Sequence, residues 1–343
     1  MKTLNYFKVI LLVIATAVVS CSTNTIDDTS GGNNGAELVL SVDKSTVYEE
    51  TLVTFTVIDG VNDATSNAII SVDGVVITGN TFTMSGLGTK EITSTVGVAT
   101  TNSIDVDVIE PSFTTKVLIE DYTGTWCGWC PRIAKGIEEV KDQTNGENVI
   151  SIAVHNNDPM VFSLEAQMRG QLGVTEFPTG TINRNVIWQQ ATSNDMNTAE
   201  PLDLLTTIQS VGLSINSTVN GSSVDASIKV GFDLDVTGLK LVAVLLENGV
   251  IEPQLNYTSH WPVGMVTDFE HNDVLRSAFT DIFGDVIPAA NQVGGGVYRV
   301  DLTTSIPVNS VQTNWSVVAF VVDADNKVVN VQKAAVGANV DFD

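Results

Sequence analysis

Two cysteines separated by two residues are the pair whose spacing most clearly suggests chemistry. Cys127 and Cys130 lie in "DYTGTWCGWCP", residues 121–131, and a tryptophan directly precedes each of them. Two intervening residues allow one turn of helix to bring the sulfur atoms within bonding distance. With Cys127 at the helix N-terminus, the helix dipole would favour its thiolate and make it a nucleophile. Cys130, shielded one turn inside the helix, would then resolve a mixed disulfide.

Two other uses of the cysteine pair remain open. A zinc site needs two more ligands, and none of the three histidines is paired with another at ligand spacing, so we expect neither a metal nor a cofactor. A structural disulfide is the stronger alternative, because an exported compartment is oxidising. However, a bridge that closes so short a loop restrains the unfolded chain very little. The spacing therefore favours redox exchange, which requires an accessible Cys127 and a shielded Cys130.

The segments around the cysteines predict the elements that position them. The apolar stretch "KVLIEDY", residues 116–122, predicts a strand, and Ile133, Ile137 and Val140 form one stripe of a following helix. A second apolar strand is predicted over Val149–His155. Strand, helix and strand in this order indicate a βαβ unit with a parallel sheet.

The same segment resembles the thioredoxin fold, because "WCGWC" follows an apolar strand and "FPT" follows later at 177–179. The resemblance implies that Pro178 has a cis peptide bond, lies against the disulfide and shapes the substrate groove. It also implies that Asp121 is the buried acid that helps to deprotonate Cys130. Glu120 would point to the other face of the strand and is our second choice. Thioredoxins have Gly-Pro where this chain has Gly-Trp, a difference that affects the redox potential.

Aromatic residues near the cysteines suggest a binding surface for an unfolded or peptide substrate. Trp126 and Trp129 are the main candidates, and Phe177 and Thr179 complete the predicted substrate-binding set. The alternative for Trp126 is packing on the sheet. His155, at the end of its strand, either reaches the mouth of the site or makes ordinary strand-end hydrogen bonds.

A wider resemblance covers residues 112–343. The stretches "LIEDYTGTWCGWCPR", "AVHNNDPM", "FPTGTINR" and "FEHNDVLR" together resemble the twenty-eight-kilodalton outer-membrane lipoprotein family. That family joins a thioredoxin-like domain to a C-terminal β domain, so the resemblance implies an outer-membrane location. Within "FEHNDVLR", predicted to lie in a long connection, His271 and Asp273 either bind a cation, face the redox site or anchor the loop.

The flanking segments show the alternation of half-buried strands. Residues 37–110 predict a small immunoglobulin-like β-sandwich, for which a spacer role is favoured over ligand binding. Residues 111–200 form the predicted thioredoxin-like domain, and residues 201–343 predict a C-terminal β-sandwich domain with a strand buried on both faces over Leu239–Leu246. The expected fold class is therefore multidomain, α/β plus all-β.

The N-terminus predicts export. Two lysines precede a short apolar run over Val9–Val19, and "VVSC" resembles the lipobox of bacterial lipoproteins, in which Cys21 is lipidated. An ordinary cleaved signal with an incidental cysteine is the alternative. Residues 1–20 are predicted to be a lipoprotein signal peptide, and residues 21–36, poor in large apolar side chains, a flexible tether.

The charge of the chain limits its partners. Sixteen basic and 40 acidic residues give a formal charge of -24, which repels nucleic acid and anionic lipid headgroups. We therefore expect membrane contact only through the lipid anchor. The expected function is an exported, lipid-anchored thiol–disulfide oxidoreductase that acts on protein or peptide thiols in the cell envelope. The alternative is an outer-membrane surface binding or adhesion lipoprotein whose disulfide is structural.

Overall fold

The computed structural model describes residues 37–144, 146, 148–307 and 314–343. The predicted signal peptide, the tether and Cys21 lie outside the described residues, so lipidation of Cys21 stays a prediction. Among the described residues, no helix is long and apolar enough to cross a membrane. Strands dominate the described part, which contains three α-helices.

The first part of the chain forms two facing sheets. Val53, Phe55 and Val57, which alternate with threonines, are completely buried between them, as their pattern predicts. One sheet has the order β1-β3-β4 with β7 on β3, and the other has the order β2-β10-β8-β5-β6 with β9 on β8. The strands are β1 (Leu38–Val42), β2 (Thr46–Tyr48), β3 (Leu52–Asp59), β4 (Asn62–Asp63), β5 (Ala68–Val72), β6 (Val75–Val76), β7 (Thr81–Thr83), β8 (Gly88–Val96), β9 (Ala99–Thr100) and β10 (Ile104–Ile109).

The cysteine-bearing part contains the three α-helices. Its first two strands pair in parallel through the first helix, which confirms the predicted βαβ unit. The third strand is antiparallel to the first. The elements are β11 (Val117–Thr123), α1 (Pro131–Gln143), β12 (Val149–His155), α2 (Glu165–Gln171), β13 (Thr179–Ile182), β14 (Val186–Ile187) and α3 (Ala199–Leu204).

The remaining strands belong to the C-terminal part. They are β15 (Val211–Asn220), β16 (Ser223–Phe232), β17 (Lys240–Glu247), β18 (Val250–Ile251), β19 (Gln254–Asn256), β20 (Gly264–Val266), β21 (Glu270–His271), β22 (Val274–Ala278), β23 (Asp285–Val286), β24 (Val297–Ser305), β25 (Trp315–Val322), β26 (Val328–Ala335) and β27 (Asn339–Val340). A four-stranded sheet, β24-β16-β15-β27, packs its apolar side chains against one face of β17 and β25.

One nine-stranded sheet joins the cysteine-bearing and C-terminal parts. Its order is β14-β13-β11-β12-β22-β17-β25-β26, with β23 also on β17. The connection between the parts is β22, which pairs with β12 at Ala153 and Val274 and with β17 on its other side. Because strands on both sides of residue 200 share this sheet, the two parts form a continuous hydrogen-bonded layer. The domain boundary near residue 200 stays a prediction from the sequence.

The prediction that "FEHNDVLR" lies in a long connection is wrong. His271 belongs to β21, and the segment continues directly into β22 at the centre of the large sheet. Arg276 and Ser277 interrupt the apolar pattern of β22, so the sequence lacks the alternation that marks a strand. The prediction for β17 is confirmed, because its residues alternate between two cores and are buried on both faces.

The alternation of β11 decides which acid faces α1. Successive strand residues point to opposite faces of a sheet. Val117 and Ile119 pack with the buried stripe of α1, whereas Leu118 and Tyr122 belong to the core on the other face. Asp121 therefore lies on the α1 side.

Candidate functional site

Cys127 and Cys130 form a disulfide in the turn that links β11 to α1. The helix begins at Pro131, and Cys130 occupies the N-cap position. The prediction that Cys127 begins the helix is therefore wrong, because Cys127 lies in the preceding turn, where its carbonyl accepts a hydrogen bond from the Cys130 amide at 3.1 Å. The physical reason is Pro131, whose fixed φ and missing N–H suit the first helical position.

Both cysteines are buried in this disulfide form. Cys127 is 6 % exposed and Cys130 is 1 % exposed. Cys130 is the more shielded of the two, and Cys127 is also largely buried.

Asp121 is a buried carboxyl near Cys130. It is 5 % exposed, and its Oδ1 atom has no hydrogen-bond partner among the described residues. Burial raises the pKa of Asp121 to about 8, because no cation offsets the loss of hydration. The side chain therefore holds a proton at neutral pH and can donate it or take it back.

Glu120 points away from the disulfide, as the strand alternation requires. Its Oε1 accepts hydrogen bonds from Arg184 Nε at 3.0 Å and Nη2 at 2.8 Å. Tyr122 and Thr181 donate to its other oxygen, both at 3.3 Å. Both oxygens of Glu120 accept hydrogen bonds on the face of β11 that points away from α1. Glu120 therefore has a structural role.

The residues between β11 and α1, 124–130, form the disulfide loop. The structure brings Trp126, which belongs to this loop, together with Phe177. Their rings lie 5.4 Å apart in an edge-to-face arrangement, and Trp126 Nε1 donates to the Asn156 carbonyl at 2.8 Å. The Phe177–Pro178 peptide bond is cis, and Thr179 begins β13. Trp126 nevertheless keeps 45 % of its surface exposed. A ring held in place yet exposed is suited to contact with a second molecule.

Trp129 contacts a different aromatic residue from the one that Trp126 contacts. It is 41 % exposed, and its ring meets the ring of Tyr257 edge-on with centroids 6.0 Å apart. Tyr257 is itself half exposed. The predicted aromatic surface therefore includes a residue from the C-terminal part that the sequence did not suggest.

A cavity of about 810 Å³ lies behind the disulfide. It is lined by Asp121 and Cys130, by one side of α1 from Pro131 to Lys141, and by Trp261, Pro262, Val266 and residues 268–273. Its size falls in the range of small-molecule pockets. Cys130 and the buried Asp121 thus line the same cavity.

His155 lines this cavity. It also makes a hydrogen bond at the end of its strand, the second of the two roles that the sequence left open. Its Nδ1–H donates to Asp158 Oδ2 at 2.7 Å, and the same carboxylate oxygen accepts the Thr125 amide at 3.0 Å. The rings of His155 and His271 lie 5.1 Å apart. Burial and the neighbouring His155 lower the pKa of His271 to about 4, so His271 is neutral at physiological pH. Asp158 thereby links His155 to the residues just before Cys127.

Asp273 acts as an anchor between elements. Its carboxylate accepts hydrogen bonds from Lys141 Nζ at 2.8 Å, from Lys333 Nζ and from the Ser151 hydroxyl. Burial alone would raise its pKa, but the ammonium groups of Lys141 and Lys333 lower the pKa of Asp273 to about 2. Of the roles considered for Asp273, loop anchoring describes these contacts. No group of three or more His, Cys, Asp or Glu side chains among the described residues is arranged to hold a metal ion.

Sequence reasoning missed the hairpin β19–β20, which lies over the disulfide loop. Gln254 Nε2 donates to the carbonyls of Cys127 at 3.0 Å and Gly124 at 3.3 Å. These partners are more than 120 residues apart in the chain. A single glutamine in a polar stretch gives no periodic or motif signal, so nothing in the sequence indicated this contact.

Comparisons with known proteins give a family and a fold neighbour. HBP35 of Porphyromonas gingivalis superposes with a TM-score of 0.53 at 22% sequence identity, over 66% of this chain and 77% of that chain. This likeness concerns the fold alone. Domains 4–9 of the surface layer protein SbsC align at 14% identity over 90% of this chain and 52% of that chain, with a TM-score of 0.19 that carries no argument. No curated protein matches the sequence.

A family model described as Outer membrane protein Omp28 matches residues 165–340, which are 176 of the 343 residues. The matched region contains the hairpin β19–β20 and Asp273, whereas Cys127 and Cys130 precede it. The family match therefore supports an outer-membrane location, and it covers mainly the C-terminal part of the chain. The chain belongs to the Omp28 family of outer membrane proteins, and it is an outer-membrane protein of the cell envelope.

Proposed function

We propose that this outer-membrane protein carries out thiol–disulfide exchange through Cys127 and Cys130. Residues 111–200 act in this proposal as a thioredoxin-like domain, with protein or peptide thiols of exported proteins as partners. A lipid on Cys21 holds the protein at the membrane. The single observation that carries the proposal is the shared cavity, which Cys130 lines together with the buried Asp121, whose Oδ1 has no hydrogen-bond partner among the described residues.

The exchange step requires no cofactor, because the substrate thiols and the cysteine pair supply all the electrons and protons. A substrate thiolate attacks Cys127 Sγ, a substrate–Cys127 disulfide forms, and the Cys127–Cys130 bond breaks. Its electron pair leaves on Cys130 Sγ, which takes the proton held by Asp121. A second substrate thiolate then attacks the substrate sulfur of the mixed disulfide and releases Cys127 as a thiolate. Two electrons thus pass from the substrate dithiol to the cysteine pair, and the reverse sequence reduces a substrate disulfide.

The aromatic residues supply the substrate contact in this proposal. Trp126 and Trp129 present exposed rings, and Phe177, which precedes Pro178 and Thr179, supports the ring of Trp126. Such rings provide apolar contact area for the residues that flank a substrate cysteine.

A surface binding or adhesion protein is the second candidate function. Two observations favour it: both cysteines are buried in the disulfide form, and the family match begins after them. In that case the disulfide only fixes the loop, and the exposed aromatic residues bind a partner without any exchange.

Serine variants of the two cysteines separate the candidates. We expect Cys127→Ser to abolish oxidation of a dithiol peptide, because it removes the attacked sulfur. We expect reduced Cys130→Ser to form a stable mixed disulfide with an oxidised peptide, detected as a mass increase that dithiothreitol reverses. Ser193→Ala, on the exposed loop after β14, is the matched control and should exchange like the wild type. Equal and negligible exchange by all four proteins would refute the proposal in favour of the binding protein.

A further inference from the structure

The hairpin β19–β20 pairs with the backbone of the disulfide loop. The Leu255 amide donates to the Thr125 carbonyl at 2.8 Å, and the Tyr257 amide donates to the Gly128 carbonyl at 2.7 Å. The Gln254 side-chain amide donates two further hydrogen bonds to this loop. Segment 254–257 therefore donates to four carbonyls of the short loop between β11 and α1, those of Gly124, Thr125, Cys127 and Gly128. The loop is thus covered along its length by a segment from the C-terminal part.

Tyr257 fits against Gly128, the glycine between the two cysteines. A Cβ atom added at Gly128 would lie 2.4 Å from the Tyr257 ring, a distance that real Cβ contacts do not adopt. The ring therefore lies directly on the Gly128 backbone, between the two cysteines in sequence. Close approach of this kind requires glycine at residue 128.

Many other contacts of the hairpin are internal, and its turn also packs the Trp261 ring against Phe269, with centroids 5.2 Å apart. Its two strands pair from Gln254 with Val266 to Asn256 with Gly264, and the Asn256 side chain bridges the turn by donating to the Trp261 carbonyl at 2.8 Å. The turn also touches the cysteine-bearing part through the Ser259 amide, which donates to Asn194 Oδ1 at 3.0 Å, and through a partly buried contact of His260 Nε2 with Asp195 at 3.1 Å. A two-stranded unit with its own hydrogen bonds can leave the loop without losing its internal pairing.

We infer that the hairpin Gln254–Val266 is a gate over the Cys127–Cys130 disulfide, with Gln254 and Tyr257 as its latch. The closed gate accounts for the 6 % exposure of Cys127 in a loop whose tryptophans remain far more exposed. Opening breaks the hydrogen bonds from Gln254, Leu255 and Tyr257 and uncovers Cys127. The gate rests on the proposed function in that it regulates access to the same disulfide, but its opening can be measured without any exchange activity.

The test is the rate at which a water-soluble trialkyl phosphine reduces the disulfide in the folded full-length chain. The phosphine is oxidised to its oxide with oxygen from water, and the disulfide takes up two electrons and two protons to give two thiols. Rapid alkylation and mass spectrometry count the thiols at each time. We expect Gln254→Ala and Tyr257→Ala each to raise the rate about tenfold or more, because each removes part of the latch.

Two further variants sharpen the test. Gly128→Ala should raise the rate as well, because the added methyl group displaces the Tyr257 ring. Met265→Ala is the matched control, since Met265 lies on the outer strand of the same hairpin and is 58 % exposed, and it should leave the rate unchanged. Melting temperatures of all variants show whether a faster reduction comes from the gate or from global unfolding.

Rates for Gln254→Ala and Tyr257→Ala within twofold of the wild type, at unchanged melting temperature, would overturn the gate. The same holds if the rates rise only in proportion to a loss of global stability. Because half of Tyr257 is solvent-exposed, its variant should fold even where Gln254→Ala does not. Faster phosphine reduction without any peptide exchange would support the gate and refute the proposed function, whereas peptide exchange with unchanged phosphine rates would do the opposite.

Discussion

Replacing Arg184 by methionine should lower the free energy of unfolding by about 3–5 kcal/mol, the cost of leaving a buried charge without its partner. The side chains of Arg184 and Glu120 are 1 % and 0 % exposed. Arg184 also donates to the Ile282 carbonyl at 2.8 Å and lies over the ring of Phe320. The pair therefore joins β11 to the C-terminal part, and its loss should weaken the whole nine-stranded sheet.

Urea unfolding followed by tryptophan fluorescence measures this effect. The double variant Glu120→Gln with Arg184→Met should lose less stability than the sum of the single variants, because it leaves no unpaired charge. Arg299→Met breaks a solvent-exposed ion pair with Asp301 and is the control, for which we expect no measurable shift of the midpoint. An Arg184→Met midpoint equal to that of the control would contradict a tightly joined sheet.

Replacing Asp121 by asparagine should stabilise the protein at pH 8 and leave its stability nearly unchanged at pH 4. The folded pKa of about 8 lies far above the value of about 3.9 in an unfolded chain. Well below pH 4 the carboxyl is protonated in both states, so it contributes no pH dependence there. As the pH rises from 4 to 8, the unfolded state loses the proton and the folded state keeps it, so stability falls by up to about 1.4 kcal/mol per pH unit and then levels off.

Asparagine does not ionise, so the variant escapes this loss, and we expect a gain of at least about 1 kcal/mol at pH 8. Thermal unfolding of the disulfide form at pH 4, 6 and 8 provides the measurement. Asp142→Asn, on the exposed side of α1, is the matched control and should not change the pH profile. A difference between Asp121→Asn and wild type that is the same at all three pH values would mean that Asp121 is not a buried, protonated acid.

Local patterns in the sequence predicted the elements that carry the site. The apolar stretches around Val149–His155 and Leu239–Leu246 are long and regular, and both form buried strands close to the predicted bounds. The resemblance implied Asp121 as the acid beside Cys130, and strand alternation placed Asp121 and Glu120 on opposite faces of β11. Such predictions succeed because they depend only on residues that are neighbours in the chain.

Contacts between distant residues explain what the sequence did not indicate. The insertion of β22 beside β12 depends on Asp273, whose carbonyl accepts the Ala153 amide at 2.8 Å and whose side chain holds Ser151, 122 residues away in the chain. Gln254 reaches the disulfide loop over a similar separation. A short strand with Arg and Ser, and a polar hairpin, have no periodicity of their own, so only the folded sheet determines where they pack.

The reduction potential of the Cys127–Cys130 pair tests the central claim of an exchanging disulfide most directly. The full-length protein is equilibrated in glutathione and dithiothreitol buffers of graded potential, quenched with acid and alkylated, and the oxidised fraction is read by mass. A pair that exchanges with exported thiols should have a potential between about −120 and −270 mV, the range of known thiol–disulfide exchange proteins. A potential below about −300 mV, typical of structural disulfides that resist reduction, would contradict the claim.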